Sequence, residues 1–440
     1  MVDPTGLTLV ELAAAYRDGS LRPTEVLRAY LEKITPGPVY RLVLAERAGR
    51  QAERAESLFA SGTDLGPLQG IPVALKDLMD TKGEVTAAGS RVLARGDPAT
   101  ADCPAAARLE AAGAVFLGKT NMTELAFSGI GINPHFGTPG NAWDDERIPG
   151  GSSSGSAVAV ATGLACAAVG SDTGGSVRIP ASFNGIVGLK TTDGLIPMGG
   201  CVPLSTTLDT LGPMARTAED AWMLFCALAG RPYAPLERPT GPLTLLAPTT
   251  VLQEKLEPAV ATAFAGVCER LERRGHRVIG GELPVLSEIP ELYRSYGNFA
   301  GHEALALHGE LLERFGAEVD PRVLKRILAF RGRPAVDYLR LSYARERLRR
   351  EFWLGRERVD AVIAPTVSIL PPRIGDLATD DAYFEANGLC LENTMIFNFL
   401  GGPAASVPTA VSAGNLPVGV MIATAPGGEE QALGIGALLA

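Results

Sequence analysis

Apolar and polar positions along the chain sort it into helical and extended segments. LTLVELAAAYRDG and RPTEVLRAYLEKI repeat apolar residues at helical spacing, so the chain is expected to open with two helices. IPVALKD is different: a run of five apolar, β-favouring residues ends abruptly in charge, which predicts a buried strand delivering Lys76 at its tip. CPAAARLEAAG then reads as a helix and AVFLG as a short strand, an alternation that argues for a sheet with helices packed on it. Later, PLTLLAP and VDAVIAPT predict strands, LEPAVATAFAGVCERLERRG an amphipathic helix, and NFLGGPAASVP a glycine-broken core segment. No internal repeat is present.

Two serine and glycine stretches, GGSSSGS at 150–156 and GSDTGGSVRIP at 170–180, flank the apolar run AVAVATGLACAAVG. A Ser/Gly stretch is ordinarily a solvated linker. The interior here is too apolar and too regular for that. A helix from about Ser154 to Gly163 would run roughly 15 Å outward, and a strand from about Ala165 to Gly170 roughly 20 Å back. The second loop therefore returns to the first, although Ser152 and Ser176 are 24 residues apart.

Composition narrows the function. The 440 residues are 46% hydrophobic, enough for one large α/β domain or two to three ordinary ones. The proline-dense stretch at 231–242 is either a domain linker or a surface connection inside one domain. A net charge of −9 disfavours nucleic acid as a direct partner, and only the helical run RERLRRE at 345–351 concentrates basic residues. Cys103, Cys166, Cys201, Cys226, Cys268 and Cys390 never fall two to four apart, so they read as reduced thiols rather than a zinc or CxxC site. The N-terminal stretch lacks a basic segment followed by an apolar core, and no apolar run reaches the roughly 20 residues of a membrane span. A cytoplasmic protein without membrane contact is expected.

Several motifs carry chemistry by their letters alone. GAVFLGKT at 113–120 satisfies the P-loop pattern, but the four middle residues form a strand where a phosphate-binding loop is required. GSSSG at 151–155 satisfies the nucleophile-elbow pattern with Ser153 at its centre, and His276, His302 and His308 follow in suitable order. Against that reading, the stretch NAWDDERIPG before it is polar and turn-rich rather than a strand. His135 in NPHFG has no partner at metal-ligand spacing.

A serine with a lysine base remains. Lysine accepts a proton near neutrality only when burial or a neighbouring charge lowers its pKa from about 10.4, and Lys76 at the end of a buried strand is suited to that. Its alternative is a strand-end lysine reaching for solvent or pairing with Asp77 or Asp80. The glycines of DTGGS allow several backbone N–H groups to converge on one point, as an oxyanion hole requires, although a tight turn would use them equally.

At these residues the chain resembles the amidase signature family. The likeness covers GGSSSGSAVAVATGLACAAVGSDTGGSVRIPASFNGIVGLKTT and continues through IPVALKDLMD, FLGKTNMTELAFSG, NPHFGTPGNAWD, TLDTLGPMARTAEDA, FLGGPAASVP and LPVGVMI. It implies one α/β domain over 1–440, a large mixed β-sheet sandwiched between layers of helices, with a signature core at about 71–225 and 231–242 as an internal loop. It also implies a Ser-cisSer-Lys triad: Ser176 as nucleophile, Ser152 as proton relay after a cis Gly151–Ser152 bond, and Lys76 as general base. Thr173, Gly174, Gly175 and Ser176 would supply oxyanion N–H groups, Phe127 and Ser128 would line the acyl pocket, and Asp172 and Arg178 would pair in the framework. Ser154 stands where many members have glycine. The implied activity is hydrolysis of a linear amide through an acyl-enzyme, without metal or cofactor. The implied partner is a small-molecule amide, and a homodimer is the candidate assembly. Alternatives are the glutaminase subunit of a tRNA-dependent amidotransferase, an allophanate- or biuret-type hydrolase, or a catalytically silent binding protein on the same scaffold. The pocket wall is expected from the 295–400 region, where no charge pattern identifies the substrate.

Overall fold

The computed structural model describes residues 3–355, 358–412 and 414–439. Its eleven described strands are β1 (Tyr40–Val43), β2 (Pro72–Lys76), β3 (Val115–Thr120), β4 (Ala167–Asp172), β5 (Val187–Lys190), β6 (Thr210–Ala215), β7 (Thr244–Pro248), β8 (Arg277–Gly281), β9 (Ala361–Pro365), β10 (Ala404–Val411) and β11 (Pro417–Ala423). They form one sheet in the order β1-β3-β2-β4-β6-β5-β10-β11-β9-β7-β8. Pairing is parallel around β2 and around β7, and antiparallel elsewhere. The chain is thus a single domain with a large mixed sheet flanked by helices. Residues 231–242 carry no regular element and join the helix Ala218–Ala229 to β7 of that same sheet.

Local chemistry explains the elements. The helix Leu9–Arg17 opens on a capping box in which Thr8 and Glu11 each satisfy the other's backbone N–H, and the helix Pro23–Lys33 begins with a proline whose missing N–H costs nothing there. Every residue of β2 and β4 is buried, as both faces of a parallel centre must be. In GAVFLGKT the residues Val115–Thr120 are indeed strand, and buried Lys119 donates to Thr86 Oγ1 at 2.8 Å and pairs with Asp77 at 3.1 Å. Its amine is occupied by the framework. The basic run at 345–351 is neutralised in the same way: Arg345 pairs with Asp193, Arg347 with Glu288 and Glu351, and Arg350 with Glu346.

The helix–strand pair between the serine loops is shifted from its expected bounds. The helix spans Ser154–Ala161 and the strand Ala167–Asp172. Residues 162–166 are used in turning: Gly163 adopts φ +68°, and the N–H groups of Leu164 and Ala165 both return to the carbonyl of Ala159. The strand runs on to Asp172 because β6 pairs alongside it as far as Asp172 opposite Thr210. The return of the chain is direct, since the Ser153 N–H donates to the Ser176 carbonyl at 3.2 Å.

Two halves of the sheet are tied by a buried ion pair. Arg178, in the helix Arg178–Asn184, meets Asp172 through Nε at 3.0 Å and Nη2 at 2.9 Å, and both side chains are fully buried. Nη2 also reaches Asn398 Oδ1 at 2.6 Å in the helix Asp380–Leu400, and Nη1 reaches Met421 Sδ at 3.1 Å in β11. Removing one partner of such a pair strands a charge in a dry interior. Arg178→Met is expected to lower unfolding free energy by about 3–5 kcal/mol, read from urea denaturation of the purified variant against the parent.

Candidate active site

Three strand ends converge on one crevice. β2 and β4 run parallel with Leu75 opposite Val169, so Lys76 emerges beside Ser171 at the carboxyl end of the pair. Crevices at such ends are where open α/β sheets bind ligands. β6 runs antiparallel to β4, so Asp209, one residue before its start, lies at the same end.

Lys76 is wholly buried, and its Nζ donates to Ser152 Oγ at 2.7 Å and to Ser171 Oγ at 2.8 Å. Burial penalises the ammonium and, against opposition from the charges of Asp172 and Asp209, brings the pKa down to about 7. The alternative of a lysine reaching solvent or pairing with Asp77 or Asp80 is excluded by these contacts. Ser152 follows a cis Gly151–Ser152 peptide bond, and its carbonyl accepts from the Thr123 N–H at 3.2 Å. Ser176 is 4% exposed and lines a cleft of about 510 Å³. The structure thus joins Lys76 to Ser152. The Ser176 hydroxyl makes no hydrogen bond to another described residue, while its backbone carbonyl is held next door by Ser153.

The loop 173–177 is shaped by Asp172. Its Oδ1 accepts from the Gly175 N–H at 2.8 Å, and its Oδ2 from the Val177 N–H at 3.1 Å. Burial alone would raise this carboxyl, but Arg178, Asn398 and Lys190 hold it down to about 2. Gly175 therefore departs from the expected role: its N–H is committed to Asp172 rather than left for an oxyanion. The N–H groups of Thr173, Gly174 and Ser176 have no acceptor among the described residues, and all three residues line the cleft. Gly175 sits at φ +136°, and a Cβ there would lie 2.2 Å from Thr394 Oγ1, whose hydroxyl fixes the Gly174 carbonyl at 2.6 Å.

Phe127 and Ser128 both line the cleft. The backbone before them is forced into the left-handed region at Leu125 (φ 52°) and Ala126 (φ 58°), a strain of about 1–3 kcal/mol per residue of the kind that clusters at functional sites. The Ser128 hydroxyl is occupied, bonding Tyr383 OH at 2.7 Å and Asn387 Oδ1 at 3.1 Å. The expected 295–400 wall is present in Asn298, Leu391 and Met395, and it contains a charge, Arg326, that no pattern in the sequence singled out. Leu204 and Leu208 close the cleft from outside that region.

Sequence reasoning also missed Ser171 and Asp209. Ser171 directly precedes the DTGGS loop in β4, which was a usable signal. Asp209 receives the Thr173 hydroxyl on one oxygen and the N–H groups of Leu204 (2.9 Å) and Ser205 (3.0 Å) on the other. Burial raises its pKa to about 6 despite these bonds.

The nucleophile-elbow reading fails on geometry. The Ser153 hydroxyl is buried and closes a 3.3 Å exchange with the Ser171 backbone. His276 accepts from the Leu243 N–H, His302 bonds the Tyr296 carbonyl, and His308 bonds the Pro203 carbonyl, so none reaches Ser153. His135 pairs with Glu124 at 2.9 Å. All six cysteines are free. Among the described residues no helix is long and apolar enough to cross a membrane, and no cluster of three or more His, Cys, Asp or Glu is arranged for a metal ion.

The family model described as Amidase matches residues 25–433. The chain is 37% identical over 395 residues to a 2-amino-5-chloromuconic acid deaminase of Comamonas testosteroni, covering 88% of this chain and 85% of that protein. It is 34% identical over 469 residues to a glutamyl-tRNA(Gln) amidotransferase subunit of Symbiobacterium thermophilum, covering 98% of this chain and 95% of that protein. A solved structure of an amidase superposes with TM-score 0.88 at 32% identity, covering 98% of this chain and 99% of that one.

The loop geometry makes a direct prediction. Gly175→Ala combines backbone strain with a clash against Thr394, and is expected to destabilise the fold by at least about 1–3 kcal/mol, measured as a fall in the urea midpoint.

Proposed function

Because the chain belongs to the amidase family, we propose that it hydrolyses a linear carboxylic amide through an acyl-enzyme on Ser176, releasing carboxylate and ammonia or an amine. The observation that carries this reading is the dry lysine bonded to a serine hydroxyl, with its pKa near 7. A neutral Lys76 accepts the Ser152 proton while Ser152 takes that of Ser176, and Ser176 Oγ attacks the carbonyl. The relay requires a Ser152–Ser176 contact that tightens once substrate is bound. The N–H groups of Thr173, Gly174 and Ser176 stabilise the oxyanion, and the Thr173 hydroxyl bond to Asp209 keeps the first of them aimed. Collapse breaks the C–N bond, with the proton passing back through Ser152 to the leaving nitrogen. Water then repeats the sequence on the ester, restoring Ser176.

A second reading is favoured by the likeness to the amidotransferase protein: glutamine hydrolysis for a partner enzyme. Copurification with a partner, and glutaminase activity only in its presence, would decide for it. The deaminase relative also breaks a C–N bond of an acid, by its name.

Three measurements check the main reading. Lys76→Ala is expected to lower kcat/KM by about 10²–10⁴ with the far-UV spectrum and melting temperature retained. A fluorophosphonate probe should label the parent and Ser153→Ala but not Ser176→Ala; an unlabelled, folded parent would instead favour a silent scaffold. The sign of the pH dependence follows from the base: protonated Lys76 cannot accept a proton, so kcat/KM should fall below a pKa of about 7 and level off above it.

A further inference from the structure

We propose that Cys103 and Cys201 form a peroxide-sensitive thiol pair, closing into an intrachain disulfide that restrains one wall of the cleft. The inference goes beyond the amidase reading: the cross-link needs no substrate, and only its effect on turnover rests on that reading.

The two cysteines are 98 residues apart in the chain, and the turn that follows Lys76 brings them together. Met79 and Cys201 face each other in an antiparallel bridge, flanked by bonds from the Asp80 N–H to the Gly200 carbonyl at 2.8 Å and from the Val202 N–H to the Leu78 carbonyl at 2.9 Å. The Asp80 carbonyl in turn accepts from the Cys103 N–H at 2.9 Å. One residue thus holds both chains. Their approach is close, since a Cβ on Gly200, itself at φ +68°, would lie 2.9 Å from Cys103 Cβ. The two side chains meet in a thiol–thiol hydrogen bond. A disulfide can form only where two such side chains face one another at short range, and here the backbone fixes them there.

Reactivity is graded in favour of this pair. Cys103 stands at the start of the helix Pro104–Ala111. The Cys201 thiol, and less strongly the Ala106 and Ala105 N–H groups, ease its ionisation against burial and the charge of Asp80, leaving its pKa below the ordinary thiol value. The other five thiols are all raised: Cys201 chiefly by Cys103, and Cys166, Cys226, Cys268 and Cys390 by burial. Cys103 therefore ionises first, and Cys201 waits beside it as the resolving thiol. Cys103 is 2% exposed, which admits a small oxidant rather than a bulky disulfide, while Cys201 is half-buried and opens the pair toward solvent.

The chemistry balances on hydrogen peroxide. The Cys103 thiolate attacks one peroxide oxygen, the O–O bond breaks, and a sulfenic acid forms as hydroxide leaves and takes up the proton that the thiol gave up. The Cys201 sulfur then attacks Cys103 Sγ, the S–S bond forms, and the displaced hydroxyl leaves as water with the Cys201 proton. Two thiols and one peroxide give one disulfide and two waters, with two electrons passing from sulfur to oxygen. The bridged chain leads straight into the site. Leu204 and Leu208, shortly beyond Cys201, line the cleft, and Asp209 follows them. A covalent tie from Cys201 to the helix Pro104–Ala111 restrains that wall where substrate must enter.

The test treats the reduced full-length protein with a modest excess of hydrogen peroxide, blocks remaining thiols with N-ethylmaleimide, and maps peptides by mass. Two of the six thiols should be lost ahead of the other four, with a Cys103–Cys201 cross-linked peptide from monomeric protein and a several-fold fall in kcat/KM that dithiothreitol reverses. Cys201→Ser should give no cross-link and, with dimedone present, a dimedone adduct on Cys103. Cys103→Ser should slow oxidation of Cys201 to the rate of the other four. Equal oxidation of all six cysteines, a cross-link to any other cysteine, or a parent that ends at sulfinic acid on Cys103 would overturn the proposal. A Cys103–Cys201 cross-link that left kcat/KM unchanged would overturn its restraint of the cleft. Failure of the amidase reading is distinguishable from all of these, because the parent would then release no ammonia from any amide, oxidised or reduced, while the cross-link is still decided by mass.

Discussion

The site depends on one buried anion. Asp172 sits at the end of β4 with its charge sealed from solvent, and every lone-pair direction it offers is used: Arg178 and Asn398 from one side, the Gly175 and Val177 N–H groups from the other. Those bonds curl the chain so that Thr173, Gly174 and Ser176 line the cleft while Gly175 turns away. The same charge acts on Lys76 without touching it, and keeps the desolvated amine from losing its proton affinity altogether. One carboxylate thus shapes the loop and, together with Asp209, offsets part of the burial that depresses the amine across from it.

Three lysines are buried in the sheet region, and their partners differ. Lys119 pairs with Asp77, and Lys190 with Asp193, so each has a carboxylate in contact. Lys76 meets only hydroxyls and a carbonyl. All three are depressed by burial, but only Lys76 among them meets hydroxyls with no carboxylate in contact. Burial alone does not make a base. What separates Lys76 from the other two is that its partners are serines.

Much of this was legible in the chain because the informative segments are short, apolar and bounded by glycine. IPVALKD could hardly be anything but a buried strand with Lys76 at its end, and the run between the serine loops could only fold back on itself. The bounds slipped where the turn after Gly163 consumed residues that looked apolar enough for strand. Gly175 illustrates a deeper limit, since sequence shows that a glycine permits an unusual conformation but not which acceptor its N–H will meet. Arg326 illustrates another: in VLKRILAF it is one of two adjacent cations on an amphipathic helix, and only tertiary packing gives Lys325 an aspartate and Arg326 a cleft. Short strands such as β1, β5 and β8 carry too few residues to show a period.

The mixed topology is what allows so few polar groups to meet. In a wholly parallel sheet, the carboxyl ends of neighbouring strands would all point into the crevice and each would be followed by a crossover helix. Here β2 and β4 end at the crevice but β6 begins there, and its antiparallel pairing sets Thr210 opposite Asp172. Asp209 is therefore carried in on the incoming chain, and reaches Thr173 from a direction no outgoing strand could supply. Two outgoing strands bring the amine and the loop 173–177; one incoming strand brings the group that steadies that loop. The geometry of the candidate site follows from strand direction, and side-chain chemistry alone would not have assembled it.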